Sequence, residues 1–246
     1  MIHENTDPQD RATQILDRFY RVPRAGQQGM TDGGGPFGFD IITALLADDL
    51  ITGYRCDAIV ETGCYLGDTA AYLAAMYPDL PISTCDVWKP HTDFTAHRLN
   101  SYSNVTVTCE DSPAVVARVC AQYERPFLFL DAHGGVGTWP LRRELEEAAK
   151  AHAVVMIHDF NVGHPRFAYD TYDGMDCGPE LLATVPGIPE TFFTPDPMAR
   201  WPLPCLQTGR RSGIAVLAVG VEDQFLRAHP RLDARRVAAA KAVLAA

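Results

Sequence analysis

Acidic and histidine side chains recur where the apolar runs of this chain end. The five places are Glu61, Asp86, Glu110-Asp111-Ser112, Asp131 and His158-Asp159. Each alone could be a helix cap or a solvated loop residue. Ligands bind along the edge of a parallel sheet where the carboxyl ends of its strands meet. Five polar strand ends in one chain therefore indicate a ligand site at that edge.

The segment Glu61-Thr62-Gly63-Cys64-Tyr65-Leu66-Gly67 predicts a tight turn between a strand and a helix. Gly63 and Gly67 allow backbone N–H groups to approach a ligand closely, because no side chain intervenes. Asp86 follows Glu61 by 25 residues and ends the next predicted strand. A carboxylate at that place can accept hydrogen bonds from both hydroxyls of a ribose. The dinucleotide fingerprint GxGxxG is absent, which counts against a nicotinamide cofactor. Proteins that bind NAD hold the ribose in the same way, so ribose recognition alone does not choose the cofactor.

Two histidines are candidates for proton transfer. His133 comes just after a strand end, in Asp131-Ala132-His133-Gly134-Gly135, and His158 adjoins Asp159. An imidazole that titrates near neutrality suits the removal of a hydroxyl proton. Asp159 could orient either ring or bind a metal ion, and these roles stay open at the level of sequence.

The elements that must position these residues alternate between strand and helix. Continuous apolar strands separated by helices predict an α/β fold with a parallel sheet covered on both faces. The predicted strands span 58–61, 82–87, 105–109, 127–131, 153–157, 191–194 and 213–219. The first predicted helix starts at Pro8. The other predicted helices span 39–50, 68–76, 112–123, 139–151 and 222–246.

The length of 246 residues and the lack of a linker predict one domain covering 1–246. Within it we expect a helical N-terminal cap (1–50), a cofactor-binding core (51–160), a substrate loop insertion (161–206), and a last strand with a C-terminal helix (207–246). A loop as long as 161–206 inside a compact domain is usually functional.

Composition argues against several classes of protein. The net charge of -10 gives no basic face for nucleic acid or an anionic membrane. No apolar run is long enough to span a bilayer, and the N-terminus lacks a signal-peptide pattern. Seven dispersed cysteines are typical of reduced thiols, so we expect a cytoplasmic protein.

The ordered set of motifs resembles class I S-adenosylmethionine (SAM)-dependent methyltransferases, over roughly 51–161. The segment 61–67 is similar to the first motif of catechol O-methyltransferase-like enzymes and of macrolide sugar O-methyltransferases. The runs 127–131 and 154–159 resemble the fourth- and fifth-strand motifs. The resemblance implies a doubly wound, Rossmann-like sheet with strand order 3-2-1-4-5-7-6.

The resemblance also implies which residues bind the cofactor SAM. Asp86 falls where the family binds the ribose hydroxyls, and Asp111 and Ser112 fall where it contacts adenine. The full expected set is Glu61, Gly63, Tyr65, Gly67, Thr69, Asp86, Asp111, Ser112 and Asp131. Asp131 and Asp159 also match the aspartates with which the catechol-type enzymes bind Mg²⁺. The family's asparagine position is taken by Phe160, with Asn161 one residue later, so the metal set carried over is Asp131, Asp159 and Asn161.

The resemblance implies methyl transfer to a hydroxyl, or less directly a nitrogen, of a small-molecule metabolite, in specialised-metabolite biosynthesis. His133, His158 and Asp159 are the expected catalytic residues, with Mg²⁺ or another divalent cation as an option and a homodimer as a further expectation. Three alternatives remain. They are a nicotinamide-dependent oxidoreductase, a metal-dependent hydroxylase or hydrolase on the same fold, and a non-catalytic partner subunit.

Overall fold

One long β-sheet forms the centre of the protein in a computed structural model that describes residues 8–25, 34–133, 139–172, 174–201 and 211–237. Eight strands make this sheet and two short ones form a separate hairpin. The strands are β1 (Ala58–Thr62), β2 (Ile82–Asp86), β3 (Val105–Cys109), β4 (Pro126–Leu130), β5 (Ala153–Ile157), β6 (Thr171–Tyr172), β7 (Met175–Asp176), β8 (Thr191–Pro195), β9 (Ala215–Val219) and β10 (Leu232–Arg236).

Helices cover both faces of the sheet. They are α1 (Pro8–Arg21), α2 (Ile41–Gly53), α3 (Asp68–Met76), α4 (Lys89–Arg98), α5 (Ser112–Gln122), α6 (Leu141–Ala148), α7 (Pro179–Ala183) and α8 (Gln224–Ala228), with a 3₁₀ turn at Pro36–Phe39. In the described ranges, none of these helices has the length and apolar character needed to cross a membrane.

The strand order is β3-β2-β1-β4-β5-β9-β8-β10. β1 to β5 run parallel, and β9 inserts antiparallel between β5 and β8. With β8 and β9 as the sixth and seventh strands of the sheet, this agrees with the expected order 3-2-1-4-5-7-6. The sheet departs from the expectation in its additional outer strand, β10, which pairs antiparallel with β8.

Side chains of the central strands alternate between two cores. Ile59 of β1 packs with Phe127 and Phe129 of β4 on the face covered by α1, α2 and α3. Val60 packs with Leu128 on the opposite face, under α5 and α6. This alternation follows from the two-residue period of a strand. Burial on both faces explains why these strands are continuous apolar runs in the sequence.

Charged side chains hold the N-terminal cap together and fasten it to the rest of the protein. Arg11 of α1 pairs with the buried Asp48 of α2, with Nη2 2.6 Å from Oδ1. Arg98 of α4 donates from Nη1 to the carbonyl of Leu66 at 2.5 Å and to Asp68 Oδ1 at 2.6 Å. Its Nη2 donates to the carbonyl of Pro23. Arg98 therefore joins the segment after α1 to the turn between β1 and α3.

The predicted C-terminal helix over 222–246 is wrong in the described part of the tail. Only α8 is helical there, and the chain turns at Pro230 before entering β10. Proline cannot continue the hydrogen-bonding of a helix interior, and β10 gains ladder hydrogen bonds from the open edge of β8. Residues 238–246 lie outside the described ranges.

The structure also contains elements that the sequence pattern did not predict. α4 follows β2 directly and begins with a proline in its first turn. The segment 161–206, expected as a loop apart from the predicted strand 191–194, also holds the β6–β7 hairpin and α7 in its described parts. Residues 26–33 of the expected N-terminal cap lie outside the described ranges.

Candidate functional site

The turn between β1 and α3 has a backbone that requires glycine. Gly63 and Gly67 have φ angles of 80° and 73°, in the left-handed region. A Cβ on Gly63 would lie 2.9 Å from the Cα of Ala132, and one on Gly67 would lie 2.7 Å from Cγ2 of Thr95. The turn is therefore packed tightly against the end of β4 on one side and against α4 on the other.

Glu61 lies beneath this turn and is 2% exposed. The hydroxyl of Thr84 donates to its Oε2 at 2.6 Å. Burial raises the pKa of Glu61 to about 8, and the nearby Asp131 carboxylate adds to the shift. Thr69, at the start of α3, is also buried, and its hydroxyl accepts a hydrogen bond from the backbone of Phe37 in the cap. Both side chains thus contact protein groups inside the fold.

Asp86 ends β2 beside the turn. Its carboxylate accepts hydrogen bonds from the backbone N–H of Tyr65 at 3.2 Å and of Trp88 at 2.9 Å. Nδ1 of His91 lies 3.0 Å from Oδ2. The side chains of Tyr65, Val87 and Trp88 are each more than half exposed. The carboxylate therefore sits next to an exposed apolar surface at the carboxyl ends of β1 and β2.

Asp111 and Ser112 lie at the start of α5, one strand further along. Asp111 is exposed and paired with Arg143, with Nη1 2.6 Å from Oδ2. Ser112 is buried and lies next to the carboxyl of Glu144 in α6. Asp111 is thus accessible from solvent, whereas Ser112 faces the interior.

Across the sheet edge, the ends of β4 and β5 bring four predicted residues together. His158 Nδ1 lies 2.9 Å from Asp131 Oδ1 and 3.5 Å from Asp159 Oδ2. His133 Nε2 lies 3.5 Å from Asp131 Oδ1 and 3.9 Å from Asp159 Oδ2. On its other side, His133 Nδ1 is 3.5 Å from Asp170 Oδ2. We call Asp131, His133, His158, Asp159 and Asp170 the acidic–histidine cluster.

The charges of this cluster depend on one another. Pairing with Asp131 outweighs burial and raises the pKa of His133 to about 9. Burial alone would lower the pKa of His158, but Asp131 and Asp159 raise it well above its usual value. The same contacts lower the pKa of Asp131 in spite of its burial. At neutral pH both imidazoles are therefore cationic and Asp131 is anionic.

Exposure separates the two histidines. The side chain of His158 is 5% exposed and that of His133 is 44% exposed. Asp159 has a φ of 52° and accepts a hydrogen bond from the hydroxyl of Ser212. His133 is therefore the histidine of the cluster that a ligand in solution can reach.

Two carboxylates and one imidazole of the cluster lie close enough together to bind a single metal ion. Ligand atoms of Asp131, His133 and Asp159 lie within 4.8 Å of one another. Asn161, carried over as a metal ligand, is not among them. Its amide donates to Asp176 at 2.9 Å and its oxygen accepts from the N–H of Gly163 at 2.9 Å. Those contacts hold Asn161 against the β6–β7 hairpin.

Sequence reasoning missed several residues of the site. Asp170 lies in the irregular segment after β5, and no spacing in the sequence places it next to His133. Glu144 could have been found, because Leu141, Leu145 and Ala148 recur around it at helical spacing and are buried. That spacing puts Glu144 on the buried face of α6, where an acid needs an explanation.

Comparison with known proteins identifies the fold. No protein-family model matches the sequence, and no curated protein matches it. Among solved structures, the chain is similar to a presumed O-methyltransferase from Klebsiella pneumoniae, with 14% identity, coverage of 89% of this chain and 93% of that one, and a TM-score of 0.53. It is also similar to the O-methyltransferase from Bacillus cereus solved in complex with SAH, with 16% identity, coverage of 89% and 93%, and a TM-score of 0.49.

These identities show the fold alone. The chain has a mostly parallel, Rossmann-like α/β fold, which it shares with the Klebsiella pneumoniae protein, and this fold class was expected from the sequence. Its glycine turn and acidic–histidine cluster lie at the carboxyl edge of that sheet, where ligands of this architecture bind.

Proposed function

We propose that this protein is a SAM-dependent methyltransferase that acts on a hydroxyl group of a small molecule. The observation that carries the proposal is the placement of two different half-sites along one sheet edge. One is the glycine turn with Asp86 and exposed aromatic side chains, and the other is the acidic–histidine cluster. The first suits a nucleoside cofactor and the second suits activation of an acceptor. A nitrogen atom of the small molecule is the second candidate for the methyl acceptor.

The residues of the first half-site match the parts of the cofactor. Asp86 would accept hydrogen bonds from the ribose hydroxyls, and Tyr65, Val87 and Trp88 would offer apolar surface to the adenine. Asp111 and Ser112 would lie on the adenine side, and the turn 63–67 would approach the amino-acid end. SAM supplies an electrophilic methyl group on a sulfonium, so positioning of the acceptor would provide much of the rate.

The acidic–histidine cluster fits a divalent cation. Two carboxylates and one imidazole, from Asp131, Asp159 and His133, supply oxygen and nitrogen donors within reach of one ion. Carboxylates alone suit Mg²⁺, whereas an added imidazole favours a transition metal such as Mn²⁺. We propose a transition-metal ion over Mg²⁺, because His133, and not Asn161, is grouped with Asp131 and Asp159. Such an ion would lower the pKa of an acceptor hydroxyl.

The proton of the acceptor would leave through the same cluster. When no ion is bound, we propose His133 as the group that meets the acceptor, because it is the exposed member of the pair. His158 would hold Asp131 in place. Because carboxylates favour the charged form of His133, it can accept a proton only after releasing its own.

A small-molecule acceptor fits the charge of the chain better than a nucleic acid does. The net charge of -10 leaves no general basic surface for a phosphate backbone. We propose a metabolite acceptor, in specialised-metabolite biosynthesis, and a homodimer as the assembly.

Isothermal calorimetry with S-adenosylhomocysteine tests the cofactor proposal. We expect binding, and no binding of NADH under the same conditions. Asp86→Ala should weaken binding by about 1–3 kcal/mol, because it removes acceptors for the ribose hydroxyls. Asp93→Ala, in the same region but exposed and paired with Lys89, is the matched control. The proposal is rejected if the wild-type protein binds no S-adenosylhomocysteine at millimolar concentration.

The cluster also favours a second candidate, a metal-dependent hydrolase or hydroxylase that transfers no methyl group. Two carboxylates with an imidazole are a donor set that such enzymes could also use. This candidate predicts that the protein takes up a transition metal yet binds neither S-adenosylhomocysteine nor SAM. Metal analysis of the purified protein together with the calorimetry separates the two candidates.

A further inference from the structure

Glu144 is a buried carboxyl that the proposed chemistry does not use. It lies on α6 between Leu141, Leu145 and Ala148, and it is 1% exposed. Burial raises the pKa of Glu144 to about 7. A carboxyl buried in an apolar interface lowers the stability of the fold unless hydrogen bonds compensate for its lost hydration. Such a residue therefore calls for a role that an apolar side chain could not fill.

The carboxyl of Glu144 lies next to two hydroxyls at strand ends. The hydroxyls of Ser112, at the start of α5 after β3, and of Thr62, at the end of β1, are close enough to favour its charged form. The Thr62 oxygen in turn accepts hydrogen bonds from the backbone N–H groups of Asp131 at 3.2 Å and Ala132 at 3.3 Å. Since Thr62 has a single hydroxyl proton, its use as an acceptor from β4 leaves that proton for Glu144.

The backbone of Ala132 also packs against the glycine turn. The Cα of Ala132 is so close to Gly63 that a Cβ on Gly63 would clash with it. A shift of Ala132 would therefore move Gly63, and a shift of Asp131 would move the cluster. The backbone of Asp131 and Ala132 therefore borders both half-sites, and Thr62 connects it to the end of β1.

One oxygen of Glu144 is left over. Its Oε1 has no hydrogen-bond partner among the described residues. Glu144 lines a cavity of about 10 Å³ together with Asp131, His133, His158 and Asp159. A cavity of this size accommodates one water molecule. The carboxyl thus borders the acidic–histidine cluster as well as the strand ends.

We propose that Glu144 is a positioning residue that fixes the glycine turn relative to the acidic–histidine cluster. This inference rests on the proposed function, because its consequence is measured as cofactor affinity. Removal of the carboxyl should loosen Thr62 and the 131–132 backbone, and so weaken a ligand that contacts the turn. An apolar replacement fits the interface, so the fold itself should persist or gain stability.

Calorimetry with S-adenosylhomocysteine on variants of the full chain tests the proposal. Glu144→Leu should weaken binding by about tenfold or more, corresponding to ~1.4 kcal/mol, while its melting temperature stays at or above that of the wild type. Glu144→Gln keeps acceptors for both hydroxyls and should bind within about threefold of wild type. Thr62→Val should reproduce the loss, and adding it to Glu144→Leu should weaken binding little further.

Glu146→Gln is the matched control, because Glu146 lies on the same helix in an exposed pair with Arg142. Wild-type affinity in a folded Glu144→Leu protein overturns the inference, and so does a loss in Glu144→Gln as large as that in Glu144→Leu. If Glu144→Leu does not fold, Thr62→Val with wild-type affinity overturns it equally. Failure of the wild-type protein to bind would instead reject the proposed function.

Discussion

At the scale of single residues, Glu61 makes the stability of the protein depend on pH. Its pKa is about 8 in the folded protein, well above the value of an unfolded glutamate. The folded state therefore holds this proton over a pH range in which the unfolded state has released it. The contribution is fully present below the unfolded pKa and is lost as pH rises through about 8.

Glu61→Gln should remove this dependence while keeping an acceptor for Thr84. Between pH 5 and 8, the free energy of unfolding of the wild type should fall by on the order of 3 kcal/mol more than that of Glu61→Gln. Urea unfolding at several pH values measures both. Parallel pH profiles for the two proteins would show that Glu61 is ionised when buried.

Gly63 and Gly163 offer a matched pair of glycines. Both have a positive φ, at 80° and 70°, but a Cβ on Gly163 would meet nothing within 4 Å. Gly163→Ala should cost only the left-handed strain of about 1–2 kcal/mol. Gly63→Ala should cost about 1–3 kcal/mol beyond that, because its Cβ overlaps the backbone of Ala132. Chemical denaturation compares the two variants, and equal losses would contradict the close packing of the turn.

At the scale of elements, Arg98 and Asp68 hold the cap, α3 and α4 together. Their side chains are 16% and 9% exposed, so the pair is largely shielded from solvent. A double-mutant cycle with Arg98→Met and Asp68→Asn should give a coupling free energy of about 1.5–3 kcal/mol. The exposed pair Arg21–Asp17, on α1, should give about 0.3–0.5 kcal/mol. Similar values for both pairs would mean that the cap is not fastened at Arg98.

The elements also show how far the sequence could lead. β1, β4 and β5 were predictable because strands buried on both faces must be apolar throughout. β10 was not, because Leu232-Asp233-Ala234-Arg235-Arg236 has no strand pattern of its own and is a strand through its pairing with β8. α4 was not predictable either, because it has few buried residues and therefore lacks the apolar stripe of a packed helix.

The residues of the site also fall into those that the sequence could predict and those that it could not. Asp131, His133, His158 and Asp159 were predictable, since residues at the ends of neighbouring parallel strands must meet. Asp170 and Glu144 come from a loop and a helix, and their place depends on how these pack on the sheet. Asn161 follows a strand end too, but the β6–β7 hairpin holds its side chain.

At the scale of the whole molecule, a bound cation should raise the melting temperature. Binding to the folded state at about 100 times Kd adds ~2.7 kcal/mol, or about 5–10 °C for a chain of this length. We expect Mn²⁺ to shift the wild type more than Mg²⁺ does, and His133→Ala to remove that preference. Asp159→Asn should abolish the shift, whereas Asp111→Asn, an acid outside the cluster, should leave it unchanged. Scanning calorimetry with each ion checks this, and equal shifts by both ions would reject the choice of a transition metal.

The strand order also has a consequence for the growing chain. Within the described sheet, β8 pairs only with β9 and β10, both of which are synthesised after it. Until residue 219 has left the ribosome, the apolar segment Thr191-Phe192-Phe193-Thr194 has no neighbour in its own sheet. A nascent or truncated chain that stops between β8 and β9 exposes an unpaired, aromatic strand, which favours aggregation. Premature stops in 196–214 should therefore yield insoluble protein, even though every strand of the ligand-binding edge is already present.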